Sequence, residues 1–485
     1  MGSHPAHRTE RSQDTRAGLI RRVRAALIEP VDIAWLVAFR VLFGAVMFVG
    51  MLRFIQSGWI DRFYDQPVFF FKYWGFSWVP VAPVATIYAI YIGLAVLALF
   101  IAVGFLYRLS VGLFAVGFTY TELLDVTNYL NHYYLVTLLC VLLCALPAHR
   151  AFSLDVWLRP ALRASRVPGW TLWLLRFQIA VVYGFAGLAK LNSDWLLYAQ
   201  PLEIWLRART ETPLVGGLFD ELWVAYFFSW AGFLYDSTIV IWLSWRRTRP
   251  YAYLAVLFFH TMTHVLFNIG LFPFIMTVGA LVFFAPSWPR RFSGLGRRLF
   301  RSAADGRECS TDGPVALTTR RPRLRQLGFA VMAVYCLFQV LVPLRHYAYP
   351  GDVAWNEEGM RWSWKVMLRE KHGSVTYFVH FPDTGRVLQV PPRYYLDSRQ
   401  EREMAGQPDL ILQLAHHIAD EFRARGYPGV EVHAEALVSW NGRPAAHLID
   451  PDVDLARIDD GLARKHWVLA EPTSPPHRKR TGAVK

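Results

Sequence analysis

Long apolar runs constrain this chain more than anything else in it. Stretches of about 18 or more nearly uncharged residues recur between short arginine-rich segments, and a helix of that length crosses a hydrocarbon layer roughly 30 Å thick. Candidate spans fall near residues 33–55, 84–106, 109–126, 132–147, 171–191, 222–245, 251–270, 272–286 and 327–345. The eighth, "LFPFIMTVGALVFFAP", is short enough to be re-entrant, so the expected count is eight to nine. Hydrophobic residues make up 54% of the 485, aromatics 15% and charged residues only 18%, a balance that excludes an ordinary soluble globular chain.

The formal charge of +14 raises the question of nucleic acid. The arginines, however, cluster at the N-terminus, at Arg108, in "HRAFSLDVWLRPALRASR", in "WRRTRP" and from Arg290 to Arg325, instead of forming one basic face. With nine spans all of these lie on one side, which the positive-inside bias makes cytoplasmic. The reading is therefore a membrane protein without a nucleic-acid partner, its N-terminus cytoplasmic and its C-terminus external. Residues 1–30 read as a basic cytoplasmic segment without a secretory signal, 31–345 as the transmembrane domain, and 290–326 as a cytoplasmic linker loop within it.

Beyond the last span the pattern changes from runs to alternation. "SVTYFVHFPDTGRVLQV" alternates about an Asp-Thr-Gly turn, and "VEVHAEALVSWNGRPAAHLID" repeats the device about Asn441-Gly442. Between them "PDLILQLAHHIADEFRARGY" carries an apolar stripe at helical spacing. A small extramembrane α+β domain is expected over 346–460, with a basic disordered tail over 461–485. Cys140 and Cys144 stand four apart within a span, with no acid or histidine beside them, and with Cys309 and Cys336 they imply no disulfide framework.

Against this apolar background a few polar residues stand out. Lys190, in "VVYGFAGLAKLNSDW", lies within about one turn of the outer end of the fifth span. His132, in "TNYLNHYYLV", lies at the outer end of the fourth, and His260, His264 and Asn268 share one face of the seventh. Two readings of Lys190 stay open. It is an interfacial anchor that snorkels, or an amine stripped of water, a condition that disfavours its charged form and makes it a usable base. His260 and His264 have no evident third ligand and no HExxH pattern, so no metal is expected. The sequence has no phosphate loop, haem motif or nucleophile elbow. Chemistry in such a chain would rest on amine, imidazole and amide groups in an aromatic cavity suited to a lipid-soluble reactant.

Four blocks in order, "LNHYYLVTLL", "QIAVVYGFAGLAKLNSDW", "FHTMTHVLFNIGLFPFIM" and "GMRWSWKVML", resemble the vitamin K-dependent gamma-carboxylase family, whose bacterial members carry a membrane region called the HTTM domain. The resemblance runs from about Phe39 to Asp454. It implies an integral membrane enzyme of the bacterial cytoplasmic membrane that uses reduced vitamin K or another naphthohydroquinone, with O2 and CO2 as co-substrates. Oxygenation of the quinol to its epoxide would drive removal of a γ-proton from a glutamyl residue, and the carbanion would capture CO2. By the same resemblance Lys190 is the base that deprotonates the quinol, His132 serves the carbanion side with Asn131 beside it, and His260 matches the first histidine of its block. Tyr183, two turns before the lysine, matches a quinone-contacting tyrosine, and Trp364 and Met367 match a block that returns to cover the ring. The partners implied are membrane lipid, the quinol and a glutamate-containing peptide or protein. The long C-terminal region that belongs with propeptide docking in the animal enzymes has no counterpart here. A second reading is therefore a membrane quinone- or lipid-binding protein that keeps binding or epoxidation without peptide carboxylation.

Overall fold

The computed structural model describes residues 25–267, 269–291 and 322–476. Asn268, Cys309, most of the expected N-terminal segment and linker loop, and the last nine residues lie outside that set. The longer helices of the membrane part are α1 (Ala34–Gln56), α2 (Val84–Val103), α3 (Tyr107–Leu123), α4 (Asn131–Ala145), α5 (Gly169–Ala189), α6 (Leu222–Ser244), α7 (Arg249–Phe267), α8 (Phe272–Ala280) and α9 (Pro322–Leu344). A short antiparallel pair, β1 (Pro30–Asp32) with β2 (Arg166–Pro168), closes the end opposite the C-terminal domain.

Among the described residues, six helices are long and apolar enough to cross a membrane: α1, α2, α5, α6, α7 and the apolar part of α9. The expected eight to nine spans are thus six by length. The others lie where spans were expected but stop short, α4 having 15 residues, or about 22 Å at 1.5 Å per residue. Asp125 explains one of these ends. Its buried carboxylate caps the turn Val126–Asn128, accepting from Thr127 N at 2.9 Å and Thr127 Oγ1 at 2.8 Å, and takes a further bond from Gln400 Nε2 at 2.9 Å. A carboxylate with that demand for donors ends α3 and redirects the chain toward the C-terminal domain.

Helices apolar on every side offer no stripe to select a packing face, so small residues set the close contacts. A Cβ on Gly44 of α1 would lie 2.6 Å from Ala102 N of α2, and one on Gly187 of α5 would lie 2.7 Å from Ser237 Oγ of α6. At the periphery α9 is tied to α5 by Tyr335 donating to Gln178 Oε1 at 2.5 Å.

The C-terminal domain carries a four-stranded antiparallel sheet of order β4-β3-β5-β6, from β3 (Lys371–Phe381), β4 (Arg386–Val390), β5 (Glu431–Trp440) and β6 (Ala446–His447). Both expected hairpins form. The first turns at Gly385, φ +65°, and the second at Asn441 and Gly442, φ +48° and +78°, the left-handed pair that an Asn-Gly turn supplies. Helices α10 (Ser398–Ala405) and α11 (Pro408–Ala424) cover one face, where Ile411, Leu414 and Ile418 bury against Tyr377, Val379, Val432 and Ala434. Tyr377 pairs with Ala434 and Val379 with Val432, so the alternation read from the sequence places its apolar face inward.

Candidate functional site

The end of α5 nearest the C-terminal domain is built by the residues that follow Tyr183. Gly187 lets α6 come within contact distance, and one turn later Lys190 caps the helix. Lys190 is only 5% exposed, which removes the snorkelling geometry. Its Nζ lies 2.8 Å from Asp236 Oδ2 of α6, donates to Ala186 O at 3.3 Å, and sits 5.1 Å from the centroid of the Trp195 ring. The motif after the lysine holds this arrangement. Asn192 caps the short helix Ser193–Tyr198, and Trp195 is fixed by its indole N–H donating to Ser229 O at 2.7 Å. Asp194 takes a two-pronged ion pair from Arg443, at 2.7 and 2.6 Å, and a bond from Asn441 Nδ2 at 2.9 Å. The second hairpin of the C-terminal domain is thereby clamped onto the loop beside the lysine.

Two turns before Lys190 on α5, the Tyr183 hydroxyl meets His260 Nε2 at 2.9 Å and the Tyr235 hydroxyl at 3.3 Å. The other ring nitrogen of His260, Nδ1, is buried with no partner among the described residues. Lys190, Asp236, Tyr183 and His260 all line one cavity of about 370 Å³, whose remaining walls are mostly aromatic and aliphatic. Its cover comes from the segment between α9 and β3, where Val366 and Met367 complete the lining. That segment turns back on itself through left-handed backbone at Glu357, Trp362, Trp364 and Met367, with φ between +56° and +63°. Non-glycine residues hold such angles only where surroundings over-determine them. Tyr129 and Asn131 supply part of that restraint: Trp362 N donates to Tyr129 Oη at 2.7 Å, Tyr129 Oη donates to Asn131 Oδ1 at 3.0 Å, and Asn131 Nδ2 reaches Lys365 O at 3.4 Å.

The HTTM domain family model matches residues 28–288, and that of the vitamin K-dependent gamma-carboxylase lumenal domain matches residues 324–474. The chain belongs to the vitamin K-dependent gamma-carboxylase family. No solved structure matches it. In this gamma-carboxylase homologue the cavity draws Lys190, Asp236, Tyr183 and His260 from the HTTM segment and Met367 from the lumenal-domain segment, so neither segment alone encloses it.

The remaining residues singled out in the sequence lie around this cavity without lining it. Trp364 is fully buried against Tyr134, ring centroids 5.1 Å apart, and wedges the covering segment into the bundle. His132, 5% exposed, stands behind Phe272, with ring centroids 6.1 Å apart, and packs so closely on Gly270 that a Cβ there would lie 3.2 Å from its Nε2. Asn131 borders a second, polar cavity of about 210 Å³ that also contains Arg361, Lys365 and Arg369. Met367 lines both cavities and so forms the partition between them. Arg361 is engaged by Asp409 and Arg369 by Glu357, whereas Lys365 makes no salt bridge among the described residues. Burial lowers the Lys365 pKa from its ordinary value, with Asp352 acting against it. His264 rests edge-on against Phe274 at 5.0 Å, and no group of three or more His, Cys, Asp or Glu gathers as for a metal ion among the described residues.

Asp236 is the residue that sequence reasoning missed. The signal was present: a carboxylate in "AGFLYDSTIVIWL" is expensive inside a membrane and has to find a partner. Tyr235, beside it, was missed for lack of any signal, since an aromatic in an aromatic-rich span is unremarkable by composition.

Proposed function

We propose that this membrane protein is a quinol-dependent oxygenase and carboxylase, in which a reduced naphthohydroquinone such as reduced vitamin K occupies the cavity beside Lys190. The observation that carries this reading is a lysine and an aspartate, 2.8 Å apart, lining an aromatic cavity among helices long and apolar enough to cross a membrane. The residues fit a quinol: aromatic walls suit a bicyclic ring, and His260 Nδ1 is a buried polar atom without a partner among the described residues. When bound with O2, the quinol supplies the reducing equivalents and, on conversion to its epoxide, a base stronger than any side chain. The chain's own part is to position and to handle protons. The proton of the pair first passes to Asp236 Oδ2, leaving Lys190 Nζ a neutral amine that takes the proton of a ring hydroxyl, and the ammonium so formed stays paired with the quinolate, so no unpaired charge is left in hydrocarbon. Tyr183 and His260, hydrogen-bonded to each other, orient the ring from the adjoining wall, and Met367 covers it.

The acceptor is a glutamyl residue, which CO2 carboxylates. Its natural entry is the polar cavity across Met367, where Lys365, in no salt bridge among the described residues, offers an ammonium to a carboxylate. His132 serves this second half of the reaction from behind Phe272. The test is conversion of a reduced naphthoquinone to its epoxide by the purified protein in nanodiscs, with and without a glutamyl peptide and labelled CO2. His132→Ala is expected to lower peptide carboxylation by on the order of 10²-fold while epoxidation falls far less. Equal loss of both would make His132 a packing residue of α4. Binding of the quinone with no epoxide from the wild-type chain would remove the enzymatic reading and leave a quinone-binding protein.

The proposed topology counts the short helices as spans, nine in all, in a bacterial cytoplasmic membrane. The Arg246–Thr248 turn then faces the cytoplasm and the turn at Gly385 faces outward. Reporter fusions at those two turns should fall on opposite sides; a common side would discard the nine-span arrangement.

A further inference from the structure

At the end of the bundle opposite the C-terminal domain, the loop after α4 gathers arginines that no acid neutralises. Within residues 146–193 the one acid is Asp155. Both its oxygens are committed to the start of α3, accepting from Leu106 N at 2.8 Å and Tyr107 N at 3.0 Å. Arg108, on the first turn of α3, and Arg150, Arg159 and Arg163, in the loop, make no salt bridge among the described residues. Ala164 N donates to Arg150 O at 2.9 Å, which folds the stretch carrying Arg159 and Arg163 back onto Arg150. His149 lies among these cations, buried and stacked on Tyr107 with ring centroids 5.5 Å apart. Burial and then Arg108 bring its pKa down to about 4, with Asp155 acting against them and Arg150 and Arg40 with them. Its Nδ1 and the Nε of Arg150 are buried with no partner among the described residues.

The same loop also presents apolar side chains on the outside of the bundle. Phe152 and Trp157 are 73% and 76% exposed, and Leu158 and Leu106 are exposed beside them in the chain. The loop is held in place from within: Arg40 of α1, fully buried, donates to Ala148 O at 2.9 Å and to Phe152 O. We infer that this loop binds the headgroup of an anionic phospholipid, its phosphate taken by Arg108 and Arg150 beside His149 and its acyl chains lying over Phe152 and Trp157. The inference stands apart from the quinol reading and needs only that the helices cross a bilayer.

Each part of the ligand answers an observation. A guanidinium meets phosphate oxygens two at a time, and the arginines here have no carboxylate to hold them. Buried polar atoms without a partner are costly, so His149 Nδ1 and Arg150 Nε point to a group that the chain itself does not supply. Exposed tryptophan and phenylalanine beside arginine suit the boundary between headgroups and acyl chains. The committed carboxylate of Asp155 decides the headgroup. Choline or ethanolamine would bring a cation that nothing in the loop can pair, whereas a glycerol headgroup leaves the lipid's negative charge to the arginines. A free phosphate would satisfy the arginines and gain nothing from Phe152 and Trp157.

The test uses the full chain in neutral detergent, with phosphatidylglycerol and phosphatidylcholine of the same acyl chains offered together and the retained lipid counted by native mass spectrometry. Phosphatidylglycerol should be retained preferentially; equal retention of the two overturns the site. Arg108→Gln and Arg150→Gln should each lower its retention about fivefold, the worth of one basic residue near an anionic membrane surface, and leave phosphatidylcholine unchanged. Arg247→Gln, at the exposed basic turn after α6, should change neither. A loss there equal to that of Arg108→Gln would make the attraction a diffuse effect of charge and overturn the site. Thermal unfolding on the same preparations should place the lipid-free variants near wild type, with phosphatidylglycerol raising the wild-type temperature more than theirs. If the half-buried Arg150 proves necessary for folding, the exposed Arg108 decides the matter alone. Trp157→Ser should also lower phosphatidylglycerol retention, and an unchanged value would refute the lipid. Inorganic phosphate that stabilises the wild type as much as phosphatidylglycerol does would likewise refute it and give the arginines to a free anion.

Discussion

Lys190→Arg is expected to lower quinol epoxidation by about 10²–10⁴-fold, the range that a positioned general base contributes. Arginine would keep the charge pair with Asp236, so the bundle should unfold near the wild-type temperature. What it cannot do is give up its proton, because a guanidinium stays protonated under any environment a protein provides. The substitution thus separates holding a charge from accepting a proton. Lys190→Ala should lose comparable activity, and a small exogenous amine, occupying the space left beside Asp236, should restore part of it. The measurement is epoxide formation in nanodiscs followed against pH, with thermal unfolding recorded on the same preparations. An arginine variant with normal rate and pH profile would leave Lys190 as the ionic partner of Asp236 and nothing more.

The second large effect concerns the aspartate. Asp236→Asn leaves an ammonium in a 5% exposed position without its counter-ion, and breaking a buried pair in this way costs roughly 3–5 kcal/mol. Thermal unfolding in detergent should show that loss together with loss of epoxidation. The double replacement Lys190→Met with Asp236→Leu removes both charges and should recover most of the stability, since well-packed apolar residues replace a buried ion pair at little or no cost. It should recover none of the activity. Losses from Lys190→Met and Asp236→Leu made singly that simply add in the double would show that the residues do not act on each other, and an Asp236→Asn protein as stable as wild type would remove the pair from the account of the fold.

The distance at which a signal acts explains what the sequence revealed. Apolar runs and strand alternation are local patterns, so the membrane character, both hairpins and α11 were legible residue by residue. Composition alone leaves the span count open, because apolar residues continue past the point where Asp125 turns the chain, and that turn depends on Gln400, 275 positions away. Lys190, Tyr183, His260 and Met367 were legible from the family blocks, and the structure brings all four to one cavity. Asp236 was not, because its meaning lies in a partner on another helix. The same blocks placed Trp364 over the ring and Asn131 beside His132. In the structure each instead holds the segment that carries Met367, a distinction between touching a ligand and holding what touches it that linear motifs do not encode.

The clamp between Asp194 and Arg443 has a consequence for how the protein comes into being. Lys190 and Asp236 are inserted early, with α5 and α6, whereas Met367 and Arg443 are synthesised only after the last membrane helix has emerged. During that interval the chamber stands open, and a nascent chain has the lysine and its partner but neither cover nor latch. The order of translation therefore completes the cavity last: the last hairpin to be made latches the room that the earlier-made helices line.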